Sequence, residues 1–390
     1  MNTKATALMN NYARLPIAFT HGEGVYLFDS AGKAYLDALA GIAVCGLGHA
    51  HPELAQTLSE QAARLWHVSN LFEIPEQASA AEKIAALSGM DKVMFCNSGA
   101  EANEAAIKLS RLHARQKGID RPAIISFYGG FHGRTFAAMA ATANPKIRRG
   151  FEPHLNDFIH LPFNDIAAVE AQRYRPDIVA VMLECLQGEG GIHPVDKDYL
   201  RRIRQLCDER GWLLICDEVQ IGICRSGKWF GYQHYDIQPD IITLAKGLGN
   251  GLPVGACAAR GAAAEYFQAG LHGSTFAGTP LIMSVVNKTL DIYQRDRIAE
   301  HVQTTADYLR RQLQRRLGDL PLLKEIRGQG LMIGIELQQP VPQLVEKGLD
   351  KGVIFNITAE KVIRLLPPLI FKLEHADELV EKLYQILSTC

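Results

Sequence analysis

An α/β fold is predicted, with a mostly parallel sheet between helices in a large domain and a smaller α+β domain built from both chain ends. Three observations point there. Between about residue 50 and residue 285, short apolar runs alternate with helical stretches; the runs are apolar throughout rather than at every second position; and the two chain ends follow neither habit. A strand that is apolar on both faces is covered on both faces, which is the condition of a parallel sheet held between helices. At 390 residues the chain is too long for one small core, and a hydrophobic content of 47% allows a substantial interior.

Taken in order, "GEGVYLFDSAGKAYLDAL" reads as a hairpin turning at "DSAGK". "KVMFC" opens the central part, and "AEANEAAIKLSRLHARQ" behind it has helical spacing. "AIISF", "DIVAVMLE", "GWLLICDE" and "DIITLAK" follow as strands. Ahead of "GWLLICDE", the stretch "DKDYLRRIRQLCDERG" repeats apolar residues at helical intervals and closes on a glycine, a common helix stop. The last hundred residues mix long amphipathic helices with strand-like "GLMIGIEL" and "VIRLLPPLIF". The expected division is 1–49 as an N-terminal segment joining the small domain, 50–285 as the large domain, and 286–390 as the C-terminal small domain.

Composition narrows the function. A net charge of −1 gives no reason to expect a nucleic acid or an anionic membrane as partner. No apolar run approaches the roughly 20 residues of a bilayer span. "MNTKATALMNNYARLP" lacks the long apolar segment of a secretory leader. The eight cysteines form no CxxC pair and several sit within apolar runs, so they read as reduced packing residues of a cytoplasmic protein.

Ligands of such sheets collect beyond the carboxyl ends of the strands, and the residues there are informative. "NSGAEANE" after "KVMFC" is a small-residue turn entering a helix, suited to a phosphate or simply capped by Asn97 or Ser98. "YGGFHGRT" after "AIISF" offers Phe131 for ring stacking and Arg134 for a carboxylate, or else a glycine-rich turn with a solvated arginine. "ECLQGEGG" brings two carboxylates to a loop, and "DEVQ" ends a buried strand on Asp217, which could equally cap the next element. "DIITLAKGLGNGLPVGA" ends its strand on Lys246 and dissolves into glycines; alone, that lysine could be a solubilising residue. One amine, one buried carboxylate, a phosphate-cradling turn, an aromatic ring and an arginine at one sheet edge fit pyridoxal phosphate, which needs a Schiff-base lysine, an anion at its pyridinium nitrogen and a phosphate cup.

Nearly end to end, the chain resembles the class III, fold-type-I pyridoxal-phosphate aminotransferases. The resemblance is carried by "GVYLFDSAGKAYLDALAGIAVCGLGHAHP", "LWHVSNLF", "NSGAEANEAAIKL", "FHGRT", "QGEGG", "DEVQIGICRSGKWF", "LAKGLGNGLPVGA", "HGSTFAGTP", "IRGQGLMIGIEL" and "IRLLPP". "LWHVSNLF" is similar to the members acting on N-acetylornithine and less like ornithine δ-aminotransferases. The resemblance implies that Lys246 forms the Schiff base and that Asp217 keeps the pyridine nitrogen protonated. Phe131 and Val219 would sandwich the ring, Gln220 would bond its phenolic oxygen, and Glu218 belongs to the same cofactor-binding run. Ser98 and the amides of Gly99 and Ala100 would hold the phosphate, with Thr275 arriving from a second subunit of a homodimer. Arg134 would grip the substrate α-carboxylate with Ser274 and Tyr12 nearby, while Arg364 would take the second carboxylate of glutamate and Glu189 would mask it otherwise. Departures are Ala100, where the family often has Thr; "AGTP" at Ala277 to Pro280 in place of "GGNP"; and Cys185 where "EP" is usual.

The implied activity is transfer of the terminal amine of N2-acetyl-L-ornithine to 2-oxoglutarate, giving N-acetylglutamate 5-semialdehyde and glutamate in arginine biosynthesis. N-Succinyl-diaminopimelate, N-succinylornithine, ornithine and 4-aminobutyrate remain alternative donors, and a non-enzymatic pyridoxal-phosphate-binding sensor is an alternative of another class. Other motifs compete less well. "GICRSGKW" has P-loop spacing but puts Trp229 where a hydroxyl must meet magnesium, and Pro253 in "GLGNGLPVG" does not open a helix as a dinucleotide fingerprint requires. His49 and His51 in "GHAHPE" have no further clustered ligand and start a helix more readily than a metal site.

Overall fold

In the computed structural model, which describes residues 7–390, the apolar runs assemble into a seven-stranded sheet. Across the sheet the order is Lys92–Cys96, Gly255–Ala259, Ile241–Leu244, Leu213–Asp217, Ile178–Leu183, Ala123–Phe127 and Phe158–Leu161. Pairing is parallel from Ile241–Leu244 to the Phe158–Leu161 edge, whereas Gly255–Ala259 runs antiparallel to both its neighbours. Every residue of Ile178–Leu183 and of Leu213–Asp217 is buried, as a doubly covered sheet requires.

Two of the seven strands have weak signals in the sequence. Gly255–Ala259 reads "GACAA", small residues with low strand propensity. Smallness is what the position demands, because a Cβ on Gly255 would stand 2.3 Å from the Ser98 carbonyl oxygen. Phe158–Leu161 is a short edge strand interrupted by His160, whose ring bonds Ser126 Oγ and Arg148.

The helices form where the spacing predicts. Gly99–Gln116 starts at Ser98, whose hydroxyl accepts from the Glu101 amide at 3.2 Å. Lys197–Arg210 is opened by Asp196, which accepts from the amides of Asp198 and Tyr199, and closed by Gly211 in the left-handed region. Pro52–Ala62 begins directly after His51.

Both chain ends contribute to one sheet. Tyr26–Asp29 and Ala34–Asp37 form the expected hairpin, whose turn is tied by Asp29 accepting from the amides of Ala31 and Lys33. Ala34–Asp37 then pairs in parallel with Val353–Ile354 from the far end of the chain. A four-stranded antiparallel sheet of Leu323–Gln329, Met332–Leu337, Val362–Leu365 and Asn356–Thr358 completes the C-terminal region, beside the packed helices Ile298–Leu317 and Leu373–Leu387. Among the described residues the cysteines are all free thiols; Cys45 is half-buried, Cys390 is exposed and the rest are buried. No described helix is long and apolar enough to cross a membrane.

Candidate active site

The strand ends converge on a cavity of about 460 Å³, within the range of small-ligand sites. Lys246 lies on its wall. The strand Ile241–Leu244 stops two residues earlier and the chain turns into a short 3₁₀ segment, Lys246–Leu248. Lys246 itself has φ +47°, a left-handed conformation costly for a residue with a Cβ and concentrated at functional positions. The glycines behind it shape the return to the next strand: a Cβ on Gly249 would come 2.4 Å from the Leu252 oxygen, and Gly251 has φ +114°. Burial, then the Arg364 guanidinium, pulls the Lys246 amine down to about 8, with Glu189, Asp217 and Glu184 pulling the other way.

Asp217, the last residue of its strand, is 3% exposed and fully engaged. Oδ2 accepts from His132 Nδ1 and from Asn103 Nδ2, both at 2.8 Å, and Oδ1 accepts from the Val219 amide at 3.0 Å. Burial works against a charged His132, but Asp217 outweighs it and Glu184 adds to the effect, so the imidazole is held above its ordinary value. Glu184 is likewise buried; its Oε1 accepts from the Phe131 amide at 2.9 Å and its Oε2 from the Gly188 amide at 3.2 Å. Burial pushes Glu184 up to about 7 against the pull of His132.

The helix Gly99–Gln116 aims its N-terminus into the cavity, where Ser98, Gly99 and Ala100 form part of the wall. Amides of a first turn have no intrahelical partner and face an anion favourably. Ser98 satisfies both readings of the turn, since it caps the helix and lines the cavity. Gly99 is required by close packing: a Cβ there would lie 2.7 Å from Val219 Cγ1.

Phe131, Val219, Gln220 and Arg134 also line the cavity. Arg134 is exposed, with its guanidinium carbon 5.9 Å from the Phe131 ring centre. Arg364 is 1% exposed, donates to Glu189 Oε1 at 2.5 Å and Asn356 Oδ1 at 3.1 Å, and approaches Gln220 Oε1 at 3.4 Å. Glu189 reaches the cavity wall and keeps a third of its side chain exposed.

Other expected residues lie apart. Glu218 does not line the cavity; alternation along the chain turns it away from Asp217, and its carboxylate accepts from the amides of Gly231 at 2.8 Å and Tyr232 at 3.0 Å, so it braces a turn. Thr275 is exposed and does not line its own chain's cavity, and Tyr12 is 69% exposed beside Arg14. Ser274 Oγ accepts from Asn97 Nδ2 at 2.8 Å, which ties it to the cavity rim through Asn97. Residues not singled out in the sequence are Asn103, His132 and the supporting role of Glu184. His132 stands inside "FHGRT" and Asn103 lies one turn into the helix after "NSG", so their position was on view but their shared partner was not.

The competing motifs have other structural work. Arg225 of "GICRSGKW" donates to the carbonyls of Leu331 and Pro367 rather than opening a phosphate loop. "GLGNGLPVG" runs into a strand, not a helix. Asp37 bonds His49 Nε2 at 2.8 Å.

This donor set suits a flat, anionic, nitrogen-containing ring. An amine, a locked carboxylate, free helix-start amides and an aromatic face share one cavity, and the buried Asn103 Oδ1 keeps an unused acceptor beside Asp217. The family profile described as aminotransferase class-III matches residues 7–387. Acetylornithine aminotransferase 1 of Bordetella bronchiseptica is 49% identical over 385 residues, covering 98% of each chain. Among solved structures, the ornithine aminotransferase of Toxoplasma gondii ME49 superposes with a TM-score of 0.95 at 31% identity, covering 98% of this chain and 93% of that one. The N-acetylornithine aminotransferase of Stenotrophomonas maltophilia K279a gives 0.85 at 34% identity, covering 97% of both. The chain therefore belongs to the class III aminotransferases, pyridoxal-phosphate-dependent enzymes of the type-I fold.

Proposed function

We propose that the protein transfers the terminal amine of N2-acetyl-L-ornithine to 2-oxoglutarate, forming N-acetylglutamate 5-semialdehyde and glutamate, in the cytoplasm and in arginine biosynthesis. The observation that carries the reading is the Arg364–Glu189 pair, which stands close enough to Lys246 for all three charges to interact. N-Acetylornithine has one carboxylate and 2-oxoglutarate has two, so one site must offer a second guanidinium to one substrate and hide it from the other. Glu189 neutralises Arg364, and its partial exposure leaves it free to swing away when a dicarboxylate arrives. Relatives named acetylornithine aminotransferase favour the acetylated donor over ornithine, since the ornithine enzyme shares the fold at lower identity.

Pyridoxal phosphate, when bound, supplies an aldehyde that takes up an amine and a ring that accepts electrons. The chain's own residues do the rest. Lys246, lowered to about 8, has an appreciable neutral fraction near neutrality and is the group that takes the proton from the carbon bearing the substrate nitrogen and returns it. Asp217 holds a proton on the ring nitrogen, while His132 and Asn103 fix its orientation. Phe131 and Val219 would hold the ring, Gln220 would bond its oxygen, and the Gly99 and Ala100 amides with Ser98 would take the phosphate; all six residues line the cavity. Arg134 would hold the donor's α-carboxylate, with Ser274 tied to the cavity rim through Asn97. Residues 50–285 act as the cofactor-holding domain, and the small one is formed by 286–390 with the N-terminal segment that ends at residue 49, whose first six residues lie outside the described ones.

Thr275, exposed in its own chain, is assigned to the phosphate cup of a partner copy, which makes the working unit a homodimer. Mixing Lys246→Ala chains with Thr275→Ala chains should then restore part of the activity, as one of the two sites in each mixed dimer regains both residues. Verified mixed dimers with no activity above either parent would refute the shared site. Glu189→Ala should lower the KM for 2-oxoglutarate about tenfold by unmasking Arg364, while the donor half-reaction slows. An unchanged keto-acid KM would remove the switch.

The test of the substrate is a single half-reaction of purified holoenzyme without keto acid, following the cofactor's absorbance with each candidate donor. N-Acetylornithine should react fastest. Preference for ornithine or 4-aminobutyrate would overturn the donor, and no reaction with any amine would overturn the chemistry.

A further inference from the structure

Glu189 stands at the tip of a short hairpin, in which Leu186–Gln187 pairs antiparallel with His193–Pro194. The tip reads "GEGGI", and a glycine-rich segment loses more conformational freedom on being fixed than an ordinary one. It is also strained: Gly191 has φ +109°, and Ile192, a β-branched residue, has φ +59°. Such a conformation persists only where its surroundings impose it.

The base of the hairpin is held by the large domain. Gln187 Nε2 donates to the Tyr128 carbonyl at 3.0 Å, and the Gly188 amide donates to Glu184 Oε2 at 3.2 Å. Residues 189–192 are held from the C-terminal sheet instead. Thr358 Oγ1 donates to the Glu189 carbonyl at 2.5 Å. Arg327, from "IRGQG", donates through Nε to the Gly191 and Ile192 carbonyls, both at 3.0 Å, and through Nη2 to the Gly191 carbonyl at 2.6 Å. Glu336 and Glu325 fix the same guanidinium through Nη1, at 2.5 Å and 2.8 Å.

The same sheet orients Arg364. Asn356 and Arg364 are register partners on adjacent strands, and Asn356 Oδ1 accepts from Arg364 Nε at 3.1 Å. Thr358 is two positions further along the strand of Asn356, so the two side chains project from one face. That face therefore aims Arg364 with one residue and grips the backbone of Glu189 with the other. Thr358 is 6% exposed, which shields its bond from water.

We propose that Thr358 and Arg327 are positioning residues of the Glu189–Arg364 switch: by bonding the backbone of the hairpin tip they pre-organise Glu189 over Arg364 and set how readily a dicarboxylate displaces it. This role rests on the masking function proposed for Glu189. Only interactions that differ between two arrangements shift the balance between them. The tip bonds fix the backbone from which Glu189 reaches Arg364, and without them the masked arrangement must order a glycine-rich segment unaided. Neither residue lines the cavity, so their effect on a substrate passes through Glu189.

Thr358→Val keeps the shape of the side chain and removes the hydroxyl. In holoenzyme it should lower the KM for 2-oxoglutarate about threefold, the scale of one hydrogen bond, and slow the half-reaction with N-acetylornithine, while the cofactor absorbance stays at the parent's. Thr358→Ser keeps the hydroxyl and should keep the parent's KM. Arg327→Lys, which loses the fork that reaches two carbonyls, should shift the KM in the same direction and decides the matter should Thr358→Val fail to fold. Added to Glu189→Ala, Thr358→Val should leave the KM where Glu189→Ala sets it, since no mask remains to be positioned. An unchanged KM in Glu189→Ala would remove the mask and the positioning role with it. Where Glu189→Ala does lower the KM, a parental value in Thr358→Val, or a Thr358→Val effect that persists beside Glu189→Ala, would overturn the positioning role alone.

Discussion

Lys246→Ala is expected to lower transamination by about 10⁴-fold or more while the protein still folds and retains cofactor by non-covalent contacts. The fold should survive because the residue sits on a cavity wall at a strained φ of +47°, not in the packed core. Cofactor retention follows from the helix-start amides, Asp217 and the Phe131 and Val219 walls, none of which the substitution touches. Steady-state rates with N-acetylornithine, and the mass and absorbance of the protein with cofactor bound, give the two readouts. Activity within about tenfold of the parent would remove Lys246 from the mechanism.

Removing the same amine has a signature in cofactor-free protein. The Lys246 amine titrates near 8 in the folded chain against an ordinary 10.5. Between those values the unfolded chain binds more protons than the folded one, so stability attributable to this group rises with pH across the window. Below it both states are charged, and the folded protein bears the whole penalty of an ammonium beside Arg364. Lys246→Met should therefore be more stable than the parent at pH 7, and the gap should close as pH rises from 8 toward 10.5. Denaturant midpoints measured across that range check the sign. A gap independent of pH would mean the amine is not perturbed.

The sequence made some parts of this site legible and hid others, for identifiable reasons. Five continuous apolar strands could be read because burial on both faces removes polar residues from the run. "GACAA" could not, since its strand is imposed by neighbours on both sides and by the Ser98 carbonyl pressing on Gly255. Lys246 and Asp217 stand at strand ends, where chain order already announces the edge. The triad of His132, Asn103 and Asp217 is different: three segments more than a hundred residues apart in part meet at one oxygen atom, and no local pattern encodes that. Glu218 shows the limit from the other side. Adjacent to Asp217 and chemically alike, it turns toward Gly231 and Tyr232 instead, and burial raises it to about 7 while those amides and Asp217 pull in opposite directions. Thr275 is exposed and stands off the wall of its own chain's cavity.

Asp217→Asn is expected to slow the half-reaction about 10³-fold, the scale of losing a preorganised charge at the reacting centre, with only a modest loss of fold. All three groups that meet the carboxylate are donors: His132 Nδ1, Asn103 Nδ2 and the Val219 amide. An amide side chain has one acceptor oxygen, so its NH2 must face either the Val219 amide or the His132–Asn103 pair. The second arrangement can relax. With the anion gone, burial dominates at His132 and its proton is lost, so Nδ1 becomes an acceptor for the new NH2. Asn103 Oδ1, now buried without a partner, could also turn toward that NH2, at the expense of the Asn103 bond to the His132 carbonyl. The expected stability cost is about 1–3 kcal/mol, that of one buried hydrogen bond left unmade. Its pH dependence has a fixed sign. In the parent, His132 is held above its ordinary value of 6.5, so its contribution is complete below that value and fades as pH rises through the folded one. The gap between parent and variant should be widest at acid pH and narrow toward the alkaline side. Histidine nitrogen shifts should show His132 losing its proton in Asp217→Asn at a pH where the parent keeps it. A variant that keeps His132 protonated and turns over at the parent's rate would mean that the negative charge of Asp217 is not what drives the chemistry.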